Sequence, residues 1–293
     1  MESLKKVHVE IINGFVDNNE GGNPAGVVFN ADGLSNEDKL KIAAKIGLSE
    51  TAFVSASAVA DYKLDFYTPS RQIAHCGHAT IATFSYLKQK LLPNKAISSK
   101  ETIDGIRKII LQDDIAFMEQ VAPIYTPVKN DMEKILLSLQ LQTGDLIDEA
   151  APMVVNTGNS FLLVGLKTQW TLKNLQPDPD LIAAISEQYG LIGYYVFTGE
   201  TVIAGRDASC RMFAPFYGIP EESATGMAAG PLACYLYDLL KIEKNQFLIE
   251  QGYFMKTPSP SLVIVNLFLE GKKIINLMAG GKGISMQSLD IEI

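Results

Sequence analysis

The chain repeats itself. Phe66-Tyr67-Thr68-Pro69 is followed by Cys76-Gly77-His78-Ala79-Thr80 and an apolar run from Ile81 to Leu87. Met212-Phe213-Ala214-Pro215 is followed by Ala224-Thr225-Gly226-Met227-Ala228 and a run to Leu236. With Gly77 set on Gly226, Tyr86-Leu87 falls on Tyr235-Leu236. The interval from proline to glycine is eight residues in the first copy (69 to 77) and eleven in the second (215 to 226), a difference of three. A duplicated strand, turn and helix points to two related halves facing each other across a cleft, and such a cleft is where a small-molecule site is expected.

The bulk numbers narrow the function classes. At 293 residues the chain suits two domains on the prior of roughly 100–200 residues each. A composition 47% hydrophobic and 20% charged is that of a globular chain, not a disordered one. The net charge of −8, with no Lys/Arg-dense stripe, argues against nucleic acid as a partner. The opening Met-Glu-Ser-Leu-Lys-Lys-Val lacks a leader's apolar core, and no run reaches the roughly 18 apolar residues of a membrane span. Cys76, Cys210 and Cys234 are an odd, sparse set without a CxxC spacing, so a reduced, cytoplasmic protein is expected.

Alternation predicts strands over residues 7–15, 25–29, 50–54 and 62–67. Ser35 with Asp38 signals a helix start, and Gly47 its end. Residues 79–90 have helical period and a small inner face, suited to a helix inside a curved sheet. Two alternating runs occupy 102–120 around Asp113-Asp114. The segment 121–129, with Pro123 and Pro127 and no periodicity, is where the halves are expected to divide: 1–123 and 124–293. The second half repeats the pattern, with strands near 153, at 161–164 and 194–198, then the second motif, then strands at 255–268 and 273–278. The last residues, about 281–293, are a candidate to return to the first half. Short strands, one long helix per half and no regular βαβ alternation predict an α+β fold.

Glu50 opens an apolar strand, an odd place for a carboxylate if burial were the only requirement. Partial burial disfavours the charged form, which would suit a general acid/base; the bland alternative is a surface Glu at a strand start. His75 and His78 flank Cys76, but His8 is the only other histidine and Cys210 and Cys234 offer no paired ligand spacing, so no metal is expected. Gly77 and Gly226 at helix starts leave backbone N–H groups able to hold a carboxylate, or else serve close helix packing alone. His78 would stand beside that anion as donor or proton relay. Of Glu221-Glu222, one is expected to offset the helix dipole and the other to titrate in the cleft. Arg206-Asp207 and Arg211 read as ion pairing or turn structure, and Gly21-Gly22-Asn23-Pro24 as a tight turn or a substrate cradle.

At these motifs the chain resembles the PhzF-like (phenazine biosynthesis) family within the diaminopimelate epimerase-like fold group. The matching pieces run in order: Gly21-Gly22-Asn23-Pro24-Ala25, Leu48-Ser49-Glu50-Thr51-Ala52-Phe53, Tyr67-Thr68-Pro69, Cys76-Gly77-His78-Ala79-Thr80, Arg211-Met212-Phe213-Ala214-Pro215, Ala224-Thr225-Gly226, Gln251-Gly252 and Gly280-Gly281. The resemblance implies two similar halves, each a mixed β-sheet or barrel wrapped around a central helix, with the active site in the cleft between them. It implies cofactor-independent isomerisation of a small carboxylated molecule, usually by a homodimer. Glu50 would shuttle the proton, with His78 assisting. Glu222 stands where the family has Asp, Met227 where it often has Ser, and Lys256-Thr257-Pro258-Ser259 where it tends to Gly-Arg-Pro-Ser. The two thiols of the epimerase branch correspond to Cys76 and Thr225 here, which leaves Cys76 as a bystander or binding residue.

The expectation is therefore an isomerase with Glu50, His78 and Glu222 catalytic and Asn23, Cys76, Gly77, Thr225, Gly226 and Met227 around the substrate. No metal or nucleotide is required, and closure of the halves would exclude water. A non-catalytic binder of small acids and a Cys76-dependent thiol enzyme are the alternatives.

Overall fold

The computed structural model describes residues 5–148 and 151–293; the opening tetrapeptide read above lies outside them. The chain is α+β and divides into two compact units. The first runs to Glu119 and takes in Gly280–Ile293; the second is Gln120–Ala279.

In the first unit the elements are β1 (Lys6–Gly14), β2 (Asn23–Val28), α1 (Asn36–Ile46), β3 (Thr51–Ser55), β4 (Tyr62–Tyr67), β5 (Gln72–Ile73), α2 (Gly77–Lys90), β6 (Ile97–Thr102), β7 (Gly105–Gln112) and β8 (Ile115–Val121), which ends just past the boundary at Gln120. In the second they are β9 (Ile124–Pro127), α3 (Met132–Ser138), β10 (Met153–Asn156), β11 (Ser160–Leu166), α4 (Gln169–Lys173), α5 (Pro179–Tyr189), β12 (Gly193–Thr198), β13 (Ala208–Ala214), β14 (Ile219–Glu222), α6 (Gly226–Asp238), β15 (Gln246–Gln251) and β16 (Ser261–Glu270). β17 (Lys273–Glu292) begins in the second unit and ends in the first.

The internal repeat of the sequence is a repeat of strand pairing. β1–β2 is antiparallel, β2–β3 parallel, β3–β4 antiparallel, β4–β5 antiparallel, β4–β6 parallel and β6–β7 antiparallel. The same series follows for β10–β11, β11–β12, β12–β13, β13–β14, β13–β15 and β15–β16. In the first unit β7 pairs β8, β8 pairs β17, and β17 pairs β1 antiparallel, so eight strands close on themselves.

Helix α2 packs against β1, β2, β3 and β7, and its buried side chains run from His78 to Ser85 with Leu87. A helix buried on nearly every face must carry small or apolar side chains all round, and Ala79, Ala82, Thr80 and Thr83 provide them. Gly14 is what lets β1 meet it: a Cβ there would stand 2.7 Å from the His78 carbonyl oxygen. Helix α6 packs on β10, β11 and β16 and is buried from Gly226 to Leu236, with Pro231 inside it. Outer layers complete each unit. Ile42 and Ala43 of α1 join Val7, Val9 and Val28, while Ile135 of α3 and Ile182 and Ile185 of α5 cover β11 and β12.

The segment read as an aperiodic boundary contains β9, which pairs β10 from Ile124↔Asn156 to Pro127↔Met153. Proline survives at the strand end, where its missing N–H forfeits no ladder bond. Alternation does not single out β6 and β15, and each unit has two helices above ten residues where one is expected, α1 and α2 in the first and α5 and α6 in the second. Among the described residues no helix is long and apolar enough to cross a membrane.

Candidate active site

Glu50 is the residue before β3. Its carbonyl accepts from the Gly26 N–H, which fixes the backbone, and its side chain turns inward until the residue is only 7% exposed. Cys76 is the extended N-cap of α2 and His78 sits in the first helical turn, at 6% and 4% exposure. The three meet. Glu50 Oε2 lies 3.4 Å from His78 Nε2, and Cys76 Sγ lies 3.6 Å from His78 Nδ1, so carboxylate, thiol and imidazole form one cluster. Glu50 Oε2 is buried yet makes no hydrogen bond to the protein, the His78 contact being within ion-pair range without hydrogen-bond geometry. A buried acceptor left without a donor carries a desolvation penalty of about 1–3 kcal/mol. Burial pushes the Cys76 thiol up, with the His78 ring pulling the other way.

A second set of contacts holds this turn from behind. The Thr80 hydroxyl donates to the Cys76 carbonyl at 2.6 Å and accepts from Lys100 Nζ at 2.6 Å. Lys100 lies over the Phe66 ring, 3.2 Å from His75 Nδ1, and is fully buried. Burial holds its ammonium well below the ordinary lysine value. Sequence reading singles out His75 but not Lys100, because Ile97–Thr102 alternates in burial and not in residue type.

Asn23 is buried at the start of β2, opposite Gly14, and Gly22 before it has a left-handed φ of 84°. A Cβ on Gly22 would stand 2.8 Å from the Gly14 oxygen, so Gly22 brings the chain close against β1 as β2 begins, and the turn itself lies at Asn18-Asn19, between the bridged Asp17 and Glu20.

In the second unit, Thr225 is the N-cap of α6 and Gly226 and Met227 are its first buried residues. The Thr225 hydroxyl donates to Glu222 Oε2 at 2.6 Å. Glu222 is half-buried on β14, whereas Glu221 is committed elsewhere: Arg211 grips both its oxygens at 2.8 Å. Arg206 pairs with Glu250. The organiser that sequence reading quoted but gave no role is Gln251. Its amide donates to the Glu222 carbonyl at 2.6 Å, its oxygen accepts from the Thr225 N–H at 3.1 Å, and the Tyr195 hydroxyl donates to it at 2.9 Å. Gly252, at φ 83°, follows it where a Cβ would collide with the Ser259 carbonyl oxygen.

Residues 12–287 match the family described as phenazine biosynthesis-like protein. An uncharacterized isomerase of Clostridium acetobutylicum is 33% identical over 247 residues, 80% of each chain. The trans-2,3-dihydro-3-hydroxyanthranilate isomerase of Pseudomonas chlororaphis is 29% identical over 95% of this chain and 96% of its own. The crystal structure of a Bacillus anthracis phenazine biosynthesis protein of the PhzF family superposes with a TM-score of 0.88 at 26% identity, covering 99% of this chain and 100% of that one. Matched along nearly its whole length, the chain belongs to the phenazine biosynthesis-like protein (PhzF) family.

Proposed function

We propose that the chain is an isomerase that moves a proton on a small carboxylate-bearing metabolite, with Glu50 as the general acid/base. The observation that carries this reading is the buried Glu50 Oε2, without a hydrogen-bond donor and 3.4 Å from the His78 ring. A carboxylate so placed can take a proton from carbon while the released electron pair delocalises into an adjoining unsaturated or carboxylate group. Returning that proton at another carbon, or on the other face, completes an isomerisation with no net change in atoms or electrons. His78 assists the transfer. Gly77 and the start of α2, and Thr225, Gly226 and Met227 at the start of α6, offer backbone N–H groups for the substrate carboxylate. Asn23 and Cys76 line the substrate and Glu222 supports the transfer. These assignments draw on the resemblance of the motifs.

The reaction needs neither metal nor nucleotide on this reading, and the enzyme acts as a cytoplasmic homodimer. The three cysteines, all buried and unpaired, support a reducing compartment. The named activity of the Pseudomonas relative makes trans-2,3-dihydro-3-hydroxyanthranilate the first compound to try, followed by other small unsaturated and amino acids. The test is turnover of that panel by wild type, Glu50→Gln and Cys76→Ala. Activity surviving in Glu50→Gln and lost in Cys76→Ala would favour thiol chemistry instead. Binding without turnover would favour a small-acid binder.

A further inference from the structure

Glu50, Cys76 and His78 bring together a carboxylate oxygen, a thiol sulfur and an imidazole nitrogen, the donor types that zinc takes from proteins. Sequence spacing concealed the set, because Glu50 stands 26 residues before Cys76 (50 to 76). We propose that this cluster is an inhibitory zinc site: one Zn²⁺ held by Glu50 Oε2, Cys76 Sγ and His78 Nε2 occupies the acid–base pair and stops turnover. The inhibition rests on the isomerase reading above; the binding does not.

Two observations support the site. The first is spacing. Zinc bonds of about 2.0–2.3 Å at tetrahedral angles set ligand atoms about 3.3–3.6 Å apart. Nε2 and Oε2 already stand 3.4 Å apart, Sγ and Nε2 4.0 Å, and all three donors lie within 4.8 Å of one another. Sγ lies nearer Nδ1, at 3.6 Å, so the Cys76 and His78 side chains have to turn to bring sulfur and Nε2 onto one ion. The second is the Oε2 atom itself, buried and without a hydrogen-bond donor, so coordination gives it the partner it lacks. Three protein ligands leave a tetrahedral ion its fourth position for water, the arrangement of an accessible site and not of a closed structural one. Magnesium and calcium want six or more oxygens, and this set offers them one residue. On binding, the Cys76 S–H bond breaks, a Zn–S bond forms and the proton leaves to solvent; nothing is oxidised or reduced.

The experiment titrates reduced, chelator-treated full-length protein with Zn²⁺ against a chromophoric chelator, and with Co²⁺ while recording its spectrum. The expected result is one Zn²⁺ per chain and a Co²⁺ spectrum carrying thiolate charge-transfer absorption. Cys76→Ser should lose that absorption and, like Glu50→Gln, weaken zinc by more than about tenfold, since even residues behind the ligands are worth about 10–100-fold. Glu50→Gln guards against a Cys76→Ser chain that fails to fold. His8→Gln is the control, because His8 lies exposed beside Glu10 and Asp290. No stoichiometric binding, a Co²⁺ spectrum without thiolate character, or binding lost in His8→Gln and kept in Cys76→Ser would overturn the site. A chain that binds zinc but turns over nothing would refute the isomerase reading and leave the site standing. An active enzyme indifferent to saturating Zn²⁺ would refute the inhibition alone.

Discussion

Glu50 and His78, 28 residues apart in sequence (50 to 78), meet with Oε2 3.4 Å from Nε2, the one arriving from the residue before β3 and the other from the first turn of α2. Both ends of that contact are fixed by backbone: the Gly26 N–H holds the Glu50 carbonyl, and the Cys76 carbonyl takes the Thr80 hydroxyl. Preorganisation of this kind is what proton transfer to and from carbon requires.

Replacing the acid should separate chemistry from binding. Glu50→Gln keeps size and polarity and removes the titrating group, so kcat should fall about 10²–10⁴-fold with KM little changed. Cys76→Ala should act mainly on KM. Steady-state kinetics on the first turned-over substrate distinguishes the two.

The packing of β1 on α2 gives a test by insertion of one methyl group. In Gly14→Ala the new Cβ would stand 2.7 Å from the His78 carbonyl oxygen, so the helix's first turn has to move. Overpacking of this kind costs about 1–3 kcal/mol. Denaturant unfolding should show that loss together with reduced turnover, while Gly33→Ala, which meets only open space, should stay within about 0.5 kcal/mol.

Lys100 should write itself into the pH dependence of stability. Its folded value lies well below the ordinary 10.5, first because of burial, with Arg107 nearby also lowering it and Cys76 and Asp104 opposing. Between the depressed value and 10.5 the unfolded chain binds the proton and the folded chain does not, so this residue makes stability rise with pH. Lys100→Met lacks that rise. The wild type should therefore gain on the variant as pH climbs toward 10.5, measured by urea unfolding at several pH values. A difference independent of pH would contradict the lowered value.

Arg211 holds Glu221 with two hydrogen bonds and lies over the Phe213 ring, largely buried. Removing one partner strands the other, so Arg211→Met should destabilise by about 3 kcal/mol in chemical denaturation. Arg211→Met with Glu221→Met should recover part of the loss, because no uncompensated charge remains.

Local chemistry made much of this fold readable. Tyr62–Tyr67 is a strand from end to end as its alternation predicts. Ser35 and Asp38 form the capping box, and Gly47 takes the left-handed cap. The pairing of the two motifs as copies is legible because strand, short strand and helix recur in both units. What escaped was set by tertiary partners. β9 is short and ends in proline, so only its ladder with β10 makes it a strand. Gln251 gains its role from Glu222, Thr225 and Tyr195, which lie 26 to 56 residues away. Lys100 reads as a surface lysine until its neighbours prove to be Thr80, His75 and Phe66.

The chemistry assigned to residue 50 is read most directly by following carbon-bound hydrogen in heavy water, with NMR observing the substrate or product. Wild-type protein should replace one such hydrogen by deuterium, and Glu50→Gln, folded and still binding, should leave that signal untouched. Exchange by Glu50→Gln at the wild-type rate would mean that another group moves the proton.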